Sequence, residues 1–496
     1  MTTLSSDPAG AIERSREKQA TIERSREARA IIDSTASGPI LHFFISALFW
    51  LLAGSALALI ASIKLHSPTF LADAEWLNFG RVRPAHLNTM VYGWATMGCI
   101  GVALWLMSRL CRAPLRGLGW LHLSAVLLNI GNLYGTYGIL TGGSTSFEWL
   151  EYPKEAGLFL SAAFIPLVLA FIDMARRRKP GHIYVSQWYV MAAIFWFPWL
   201  YLTAQVLLLW RPVAAPAQPP LNWWYAHNAL GLWFTPVGLA AAYYLIPKVL
   251  GKPIHSYYLS LIGFWSLAFF YAWNGMHHLI GGPYPAWLIS ISVVASVMML
   301  VPVISVAINH HFTVKGSFAA VRASPTLRFV VFAAMSYTVT SVQGSITAFR
   351  AVSRVTHFTH YTVAHAHLGM YAFVTMMLFG TMYYMMPRLT GKEWPSRWLI
   401  RIHFWGCGLG VLHYWIVLSI GGIKQGLWML DDSVPFMQIV VRMLPYLEQR
   451  SWAGAAMTLG HLAFATSFVW LLMSKPGSNT GPTLLGKISP GKEDAS

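Results

Sequence analysis

The chain has 496 residues, 56% of them hydrophobic and only 11% charged, and its mean hydropathy is +0.50. A water-soluble chain carries about 25% charged residues, so these side chains cannot solvate a globule and the solvent is mainly lipid. The formal charge of +17 does not signal nucleic acid, because the basic residues sit at the ends of apolar runs and in short loops.

In chain order, residues 1–38 are polar and contain the near-repeat AIERSREKQA–TIERSREARA. They read as a disordered cytoplasmic tail, with a short basic surface helix as the alternative, and not as a cleavable signal. Twelve apolar segments follow, each long enough to cross a bilayer as a helix. They are predicted at 39–63, 85–108, 118–141, 157–175, 186–210, 223–247, 258–281, 285–308, 328–349, 361–387, 399–422 and 452–473. Residues 474–496 form a second polar tail. The fold class is therefore an all-α integral membrane protein, a bundle of twelve transmembrane helices over residues 39–473.

The connecting segments set its orientation. Those after even-numbered spans carry Arg109, Arg112 and Arg116, then Arg176 to Lys179, Lys248 and Lys252, Lys315 and Arg322, and Arg388 and Lys392. Those after odd-numbered spans mix in Asp73, Glu75, Glu148, Glu151, Glu155, Asp431 and Asp432. The positive-inside rule puts the even connections, and both termini, in the cytoplasm. Cys99, Cys111 and Cys407 are isolated, with no CxxC or CxxCH, which excludes a cysteine zinc site and a covalently held c-type haem.

Of the 18 histidines, His42, His122, His403, His413 and His461 are single residues in spans and read as hydrogen-bonded packing. Six others share one depth. His86 opens span 2, His227 opens span 6, His277 and His278 close span 7, and His365 and His367 lie in the first turns of span 10. All six fall in the outer part of the membrane, where ionisable residues are rare and usually functional. Residues two apart on an α-helix point about 200° away from each other. His365 and His367 therefore suit two metals on opposite sides of one helix. If His367 faces a haem iron, His86 can supply the second axial imidazole of a low-spin, electron-transferring haem. His365 would hold another haem with an open distal position. His227, His277 and His278 suit copper and leave a site for substrate.

With the strings FGRVRPAHLNTMVYGW, WWYAHNALGLWFTP, YAWNGMHHL and HYTVAHAHLGMY, the chain resembles subunit I of the haem–copper oxygen reductases, and most of all the C family, the cbb3-type cytochrome c oxidases. The resemblance covers essentially all of residues 39–473. It implies His86 and His367 on a low-spin haem b, His365 on a high-spin haem of the b type, and His227, His277 and His278 on the copper CuB. It implies that Tyr271, six residues before the histidine pair, is a redox-active tyrosine joined to a copper histidine. The other families place that tyrosine one turn after the first copper histidine, where this chain has Gly231. Less specific matches put Glu151 at a calcium ion, with an exposed loop carboxylate as the plain alternative, and His357 beside a haem propionate. Arg350 and Arg354 are candidate propionate partners. The resemblance further implies O2 reduction to water coupled to proton translocation, in a bacterial inner membrane. Because no c-type haem motif is present here, electrons would come from membrane-anchored c-type cytochrome subunits.

One departure stands out. The family usually carries a glutamate in span 9, and here TSVQGSITAF has Gln343, which cannot exchange a proton as a carboxylate does. The proton route from the cytoplasm is therefore open, with Ser266 and nearby hydroxyls as candidates. A nitric oxide reductase is the rival enzyme, but its non-haem iron calls for a carboxylate, and spans 6 and 7 offer no Asp or Glu near the three histidines. A proton-coupled secondary transporter is the rival of another class; it would favour broken helices and a midplane site.

Overall fold

The computed structural model describes residues 8–475, and every regular element among them is helical. Among the described residues twelve long helical segments follow one another, consistent with twelve crossings. They are α1 (Pro8–Lys64), α2 (Phe79–Cys111), α3 (Leu118–Leu140), α4 (Ala156–Arg176), α5 (Val185–Trp210), α6 (Ala215–Leu250), α7 (Tyr257–Phe270, continued by 3-10 turns over Tyr271–Leu279), α8 (Ala286–Val314), α9 (Pro325–Thr347), α10 (His360–Thr390), α11 (Arg397–Met429) and α12 (Phe436–Met473). Eleven are long and apolar enough to span a bilayer on their own. The twelfth, α7, reaches that length only through its 3-10 end, which rises about 2.0 Å per residue against 1.5 Å for the α-helix.

Residues 8–38 do not form the disordered tail expected of them. They are helical and continuous with the first span, through Pro39. Ile32, Ala36 and Ile40 lie on one face at a spacing of four and are buried. Asp33 pairs with Arg109 of α2 at 3.1 Å, which ties this extension to the bundle. Residues 1–7 and 476–496, the outer parts of both predicted tails, lie outside the described residues.

Three helices form the inside of the bundle. The most apolar stretches of α2, α6 and α10 are 94%, 89% and 72% buried, whereas those of the other long helices are 33–56% buried. A helix that is apolar all round belongs in the interior, and one with a single buried face belongs at the lipid. Each inner helix also widens to a π-helical segment just after its histidines. Thr89–Ala95 follows His86, Leu230–Phe234 follows His227, and Leu368–Thr375 follows His367. Such wide turns re-aim side chains and cluster at functional sites.

Candidate functional site

His227 comes from inner helix α6, and His277 and His278 from the 3-10 end of α7. Their ligand atoms lie within 4.8 Å of one another, the one such histidine, cysteine or carboxylate group among the described residues. The ring centroids are 4.9 Å (His227–His277), 5.4 Å (His227–His278) and 4.6 Å (His277–His278) apart. The 3-10 segment can approach α6 closely because residue 275 is glycine; a Cβ there would collide with the Trp223 carbonyl.

Each ring is held from behind. His277 Nδ1 meets Ser296 Oγ at 2.9 Å, and its backbone N–H donates to Ser292 Oγ at 2.8 Å. Ser296 donates to the Ser292 carbonyl, and Ser345 of α9 donates to the Ser296 carbonyl. His278 stacks flat on Trp223, with centroids 3.9 Å apart at 8°. His227 Nδ1 is buried and has no hydrogen-bond partner. A buried, unpartnered lone pair is costly unless something binds it. Three neutral nitrogen donors, one of them orphaned, fit a copper ion. A centre built with a carboxylate is not assembled here.

Tyr271 opens the 3-10 segment, and its ring lies 4.8 Å from that of His227 at 32°. The phenol ring occupies the space above Gly231, one turn after His227 in α6. A tyrosine from α7 and any side chain at position 231 therefore exclude each other.

The two histidines of α10 point to different partners. His365 lies within electrostatic range of His227, His277 and His278. Its ring is seated against Gly344 of α9, where an added Cβ would stand 3.1 Å from Cε1, and Thr340 Oγ1 is 3.5 Å from its Nδ1. His367 instead interacts with His86. His367 Nδ1 donates to the Val363 carbonyl at 2.9 Å, and His86 Nδ1 donates to the Gly54 carbonyl at 2.9 Å. A carbonyl can only accept, so the proton sits on Nδ1 in both rings and the Nε2 lone pair is left for a metal. Paired imidazoles in this tautomer, in an interior lined by apolar residues, fit an iron porphyrin with two axial nitrogens.

Arginines stand close to this pair. Arg83 and Arg450 both lie within electrostatic range of His86 and His367, and Arg450 Nε donates to Tyr414 Oη at 2.9 Å. Arg450 gave no signal in the sequence, since LEQRSW reads as an ordinary connection; only the long α12 brings it to the site. Arg350 and Arg354 are exposed, and Arg350 reaches Ser290 Oγ at 3.3 Å. His357 is half-buried, stacked on Phe358 at 3.9 Å. Burial draws its imidazole below the ordinary value, against the opposing pull of the Ile280 and His278 carbonyls.

Glu151 is not an exposed loop carboxylate but is 5% exposed. Asn88 Nδ2 donates to its Oε2 at 2.8 Å, and Arg83 lies 3.5 Å from Oε1, which makes no hydrogen bond. Arg83 also pairs with Glu148 at 2.8 Å. Burial, and then the neighbouring Glu148, push the Glu151 carboxyl up to about 7, with Asn88 and Arg83 opposing. Glu151 thus has one oxygen, Oε1, that makes no hydrogen bond and faces only Arg83 at 3.5 Å; calcium takes six to eight such oxygen ligands.

The remaining candidates sort cleanly. The single histidines of the spans are hydrogen-bonded: His42 to His122, His403 to Tyr383, His413 to Gln449, and His461 to both Ser55 and Tyr371. Ser266 donates back to the Ile262 carbonyl of its own helix and points to no route. Gln343 is buried and accepts a hydrogen bond from Trp415 Nε1 at 3.1 Å.

Comparison with known proteins bears on this arrangement. The chain is 31% identical over 452 residues to the cytochrome c oxidase subunit 1 homolog, bacteroid, of Bradyrhizobium diazoefficiens, covering 88% of this chain and 82% of that protein. It is 28% identical over 437 residues to the cbb3-type cytochrome c oxidase subunit CcoN1 of Stutzerimonas stutzeri, covering 86% and 92%. A heme-copper terminal oxidase dimer solved by cryo-EM shares the fold, with a TM-score of 0.70, 16% identity, and 92% and 86% of the two chains covered. With residues 39–456 matching the family model for cytochrome C and quinol oxidase polypeptide I, the chain belongs to that family, and the transporter reading falls.

Proposed function

We propose that this chain is the catalytic subunit of a cbb3-type terminal oxidase, reducing O2 to water. The observation that carries the reading is the convergence of His227, His277 and His278 within 4.8 Å, with His365 on the facing helix. In this reading the three histidines hold CuB, His365 holds a high-spin haem, and His86 and His367 hold a low-spin haem b. When bound, these groups supply the electrons and the site at which O2 is taken up.

The chain's own residues do the rest. Ser296 and Trp223 fix the orientation of two copper histidines, and the Gly54 and Val363 carbonyls fix the tautomer of the low-spin pair. Tyr271 keeps an O–H next to His227, where a proton and an electron are needed. Arg83 and Arg450, near the His86–His367 pair, and His357, beside the His278 carbonyl, offer donors to haem carboxylates. Glu151 is a candidate ligand to a calcium ion.

The wider setting belongs to the same reading. The chain lies in a bacterial inner membrane with both termini in the cytoplasm, receives electrons from membrane-anchored c-type cytochrome subunits, and couples turnover to proton translocation. The test is haem and metal analysis of the purified complex with turnover on O2 and on NO. Two haems, one copper and O2 consumption are expected; non-haem iron with faster NO turnover would establish the nitric oxide reductase instead.

A further inference from the structure

The two imidazoles of the His86–His367 pair are held unequally. His367 Nδ1 donates to the Val363 carbonyl of its own helix, one turn back, and needs no neighbour for this. His86 Nδ1 donates at 2.9 Å to the Gly54 carbonyl, which belongs to α1. That bond forms because α1 comes very close to α2: a Cβ on Gly54 would stand 2.5 Å from the sulfur of Met90, one turn past His86. The orientation of the His86 ring therefore depends on where α1 places a single peptide group.

A buried chain of hydrogen bonds fixes that peptide group from behind. Ser55, next to Gly54, donates its hydroxyl proton to the Leu51 carbonyl at 2.6 Å. His461 Nδ1 of α12 lies 2.8 Å from the same Ser55 Oγ, and His461 Nε2 lies 2.6 Å from Tyr371 Oη of α10. A carbonyl only accepts, so the Ser55 proton is committed to Leu51. The His461 proton is then on Nδ1, and its Nε2 takes the Tyr371 O–H. The donors run in one direction, from Tyr371 through His461 and Ser55 to Leu51, and each bond polarises the next. Ser55, Tyr371 and His461 are 4%, 6% and 3% exposed, so water does not compete for these bonds. The residue before His461 is Gly460, where a Cβ would lie 2.5 Å from Cys407 Sγ of α11, and this lets α12 sit deep enough to carry His461 in.

The chain joins the two halves of the site. Tyr371 stands one turn after His367 on α10, and Ser55 stands beside the carbonyl that holds His86. A serine bonded to the carbonyl four residues back bends its helix, and here the bend falls on the Gly54–Ser55 peptide. We propose that Tyr371, His461 and Ser55 are positioning residues, a strut that sets the strength of the His86–Gly54 hydrogen bond. Such a bond pushes electron density onto the ligating nitrogen, which favours oxidised over reduced iron. The proposal rests on the oxidase reading, which supplies the low-spin haem.

The test uses the intact purified complex as wild type, Ser55→Ala, Tyr371→Phe and the double variant, with Ser55→Thr as the conservative control. Each single change keeps the shape of the site and breaks the chain at one end. Each should shift the redox equilibrium of the low-spin haem about tenfold towards the reduced form, or about 59 mV for one electron. The paramagnetic resonance signal of that haem should change with it, while copper content stays that of the wild type. Because both changes break one chain, the double variant should shift no further than either single variant. Ser55→Thr, which keeps the hydroxyl, should keep the wild-type potential. A wild-type potential in both single variants, or shifts that add in full in the double variant, overturns the strut. If Tyr371→Phe does not assemble, Ser55→Ala against Ser55→Thr decides alone. A wild-type complex with no signal from a haem held by two imidazoles overturns the oxidase reading itself, which separates the two failures.

Discussion

A Cβ atom on Gly231 would lie inside the ring of Tyr271. The two residues come from different helices, α6 and α7, and the absence of a side chain on one makes the place for the other. Gly231→Ala should therefore push Tyr271 away from His227. Overpacking of a tight interior costs about 1–3 kcal/mol, too little to unfold the bundle but enough to move a ring. The expected result is strongly reduced O2 turnover with an unchanged low-spin haem spectrum; normal turnover would mean that the tyrosine is not needed where it sits.

This pair also shows what the sequence makes legible. The six histidines stand out from their places in the chain, because apolar runs fix depth and depth can be compared between distant segments, whereas the exchange between Gly231 and Tyr271 is visible only through the family resemblance. The twelve crossings follow from the same length rule. The 3-10 end of α7 and the π-turns behind the histidines do not, since their cause is packing between helices and not composition. Arg450 and Ser296 carry no signal of their own either. One is a loop-like arginine carried into place by a long helix, the other one of many serines in an apolar run, and neither residue type is unusual where it stands. The N-terminal segment reads as disordered because the apolar stripe Ile32–Ala36–Ile40 that docks it is short and follows the charged run ERSREAR.

In the oxidase reading His227 separates the two proposed metal positions. It is one of the three nitrogen donors of the α6–α7 cluster and plays no part in the His86–His367 pair. His227→Ala should abolish copper retention and O2 turnover while the low-spin haem spectrum stays. Metal analysis beside an optical spectrum checks this; loss of that spectrum with copper retained would contradict the assignment.

In the oxidase reading Ser296 stands one step behind the copper position. Its hydroxyl meets His277 Nδ1 at 2.9 Å and fixes which ring nitrogen faces the cluster. Removing such a partner lowers metal affinity about 10- to 100-fold. Ser296→Ala should therefore keep its copper when freshly purified and lose it to a chelator at concentrations the wild type resists. Titration with a copper chelator, followed by residual turnover, gives the shift directly, and Ser296→Thr, which keeps the hydroxyl, should restore most of it.

Glu151 gives the fold a pH dependence of known sign. Its carboxyl is raised from an ordinary value of 4.5 to about 7, chiefly by burial. Between those two values the folded chain binds a proton that the unfolded chain does not. Stability therefore falls as pH rises through this window and levels off above it. Below about 4.5 both states are protonated and the dependence vanishes. Replacing the carboxyl with a neutral amide of the same shape removes the titration and keeps an acceptor for Asn88 Nδ2. Thermal midpoints of the wild type should thus decline from about pH 5 to about pH 8 relative to those of Glu151→Gln. The two curves should converge at the acid end and separate at the alkaline end, with the variant the more stable. Parallel curves across that range would show that Glu151 is already ionised at the acid end, as it would be if a bound cation held its carboxylate.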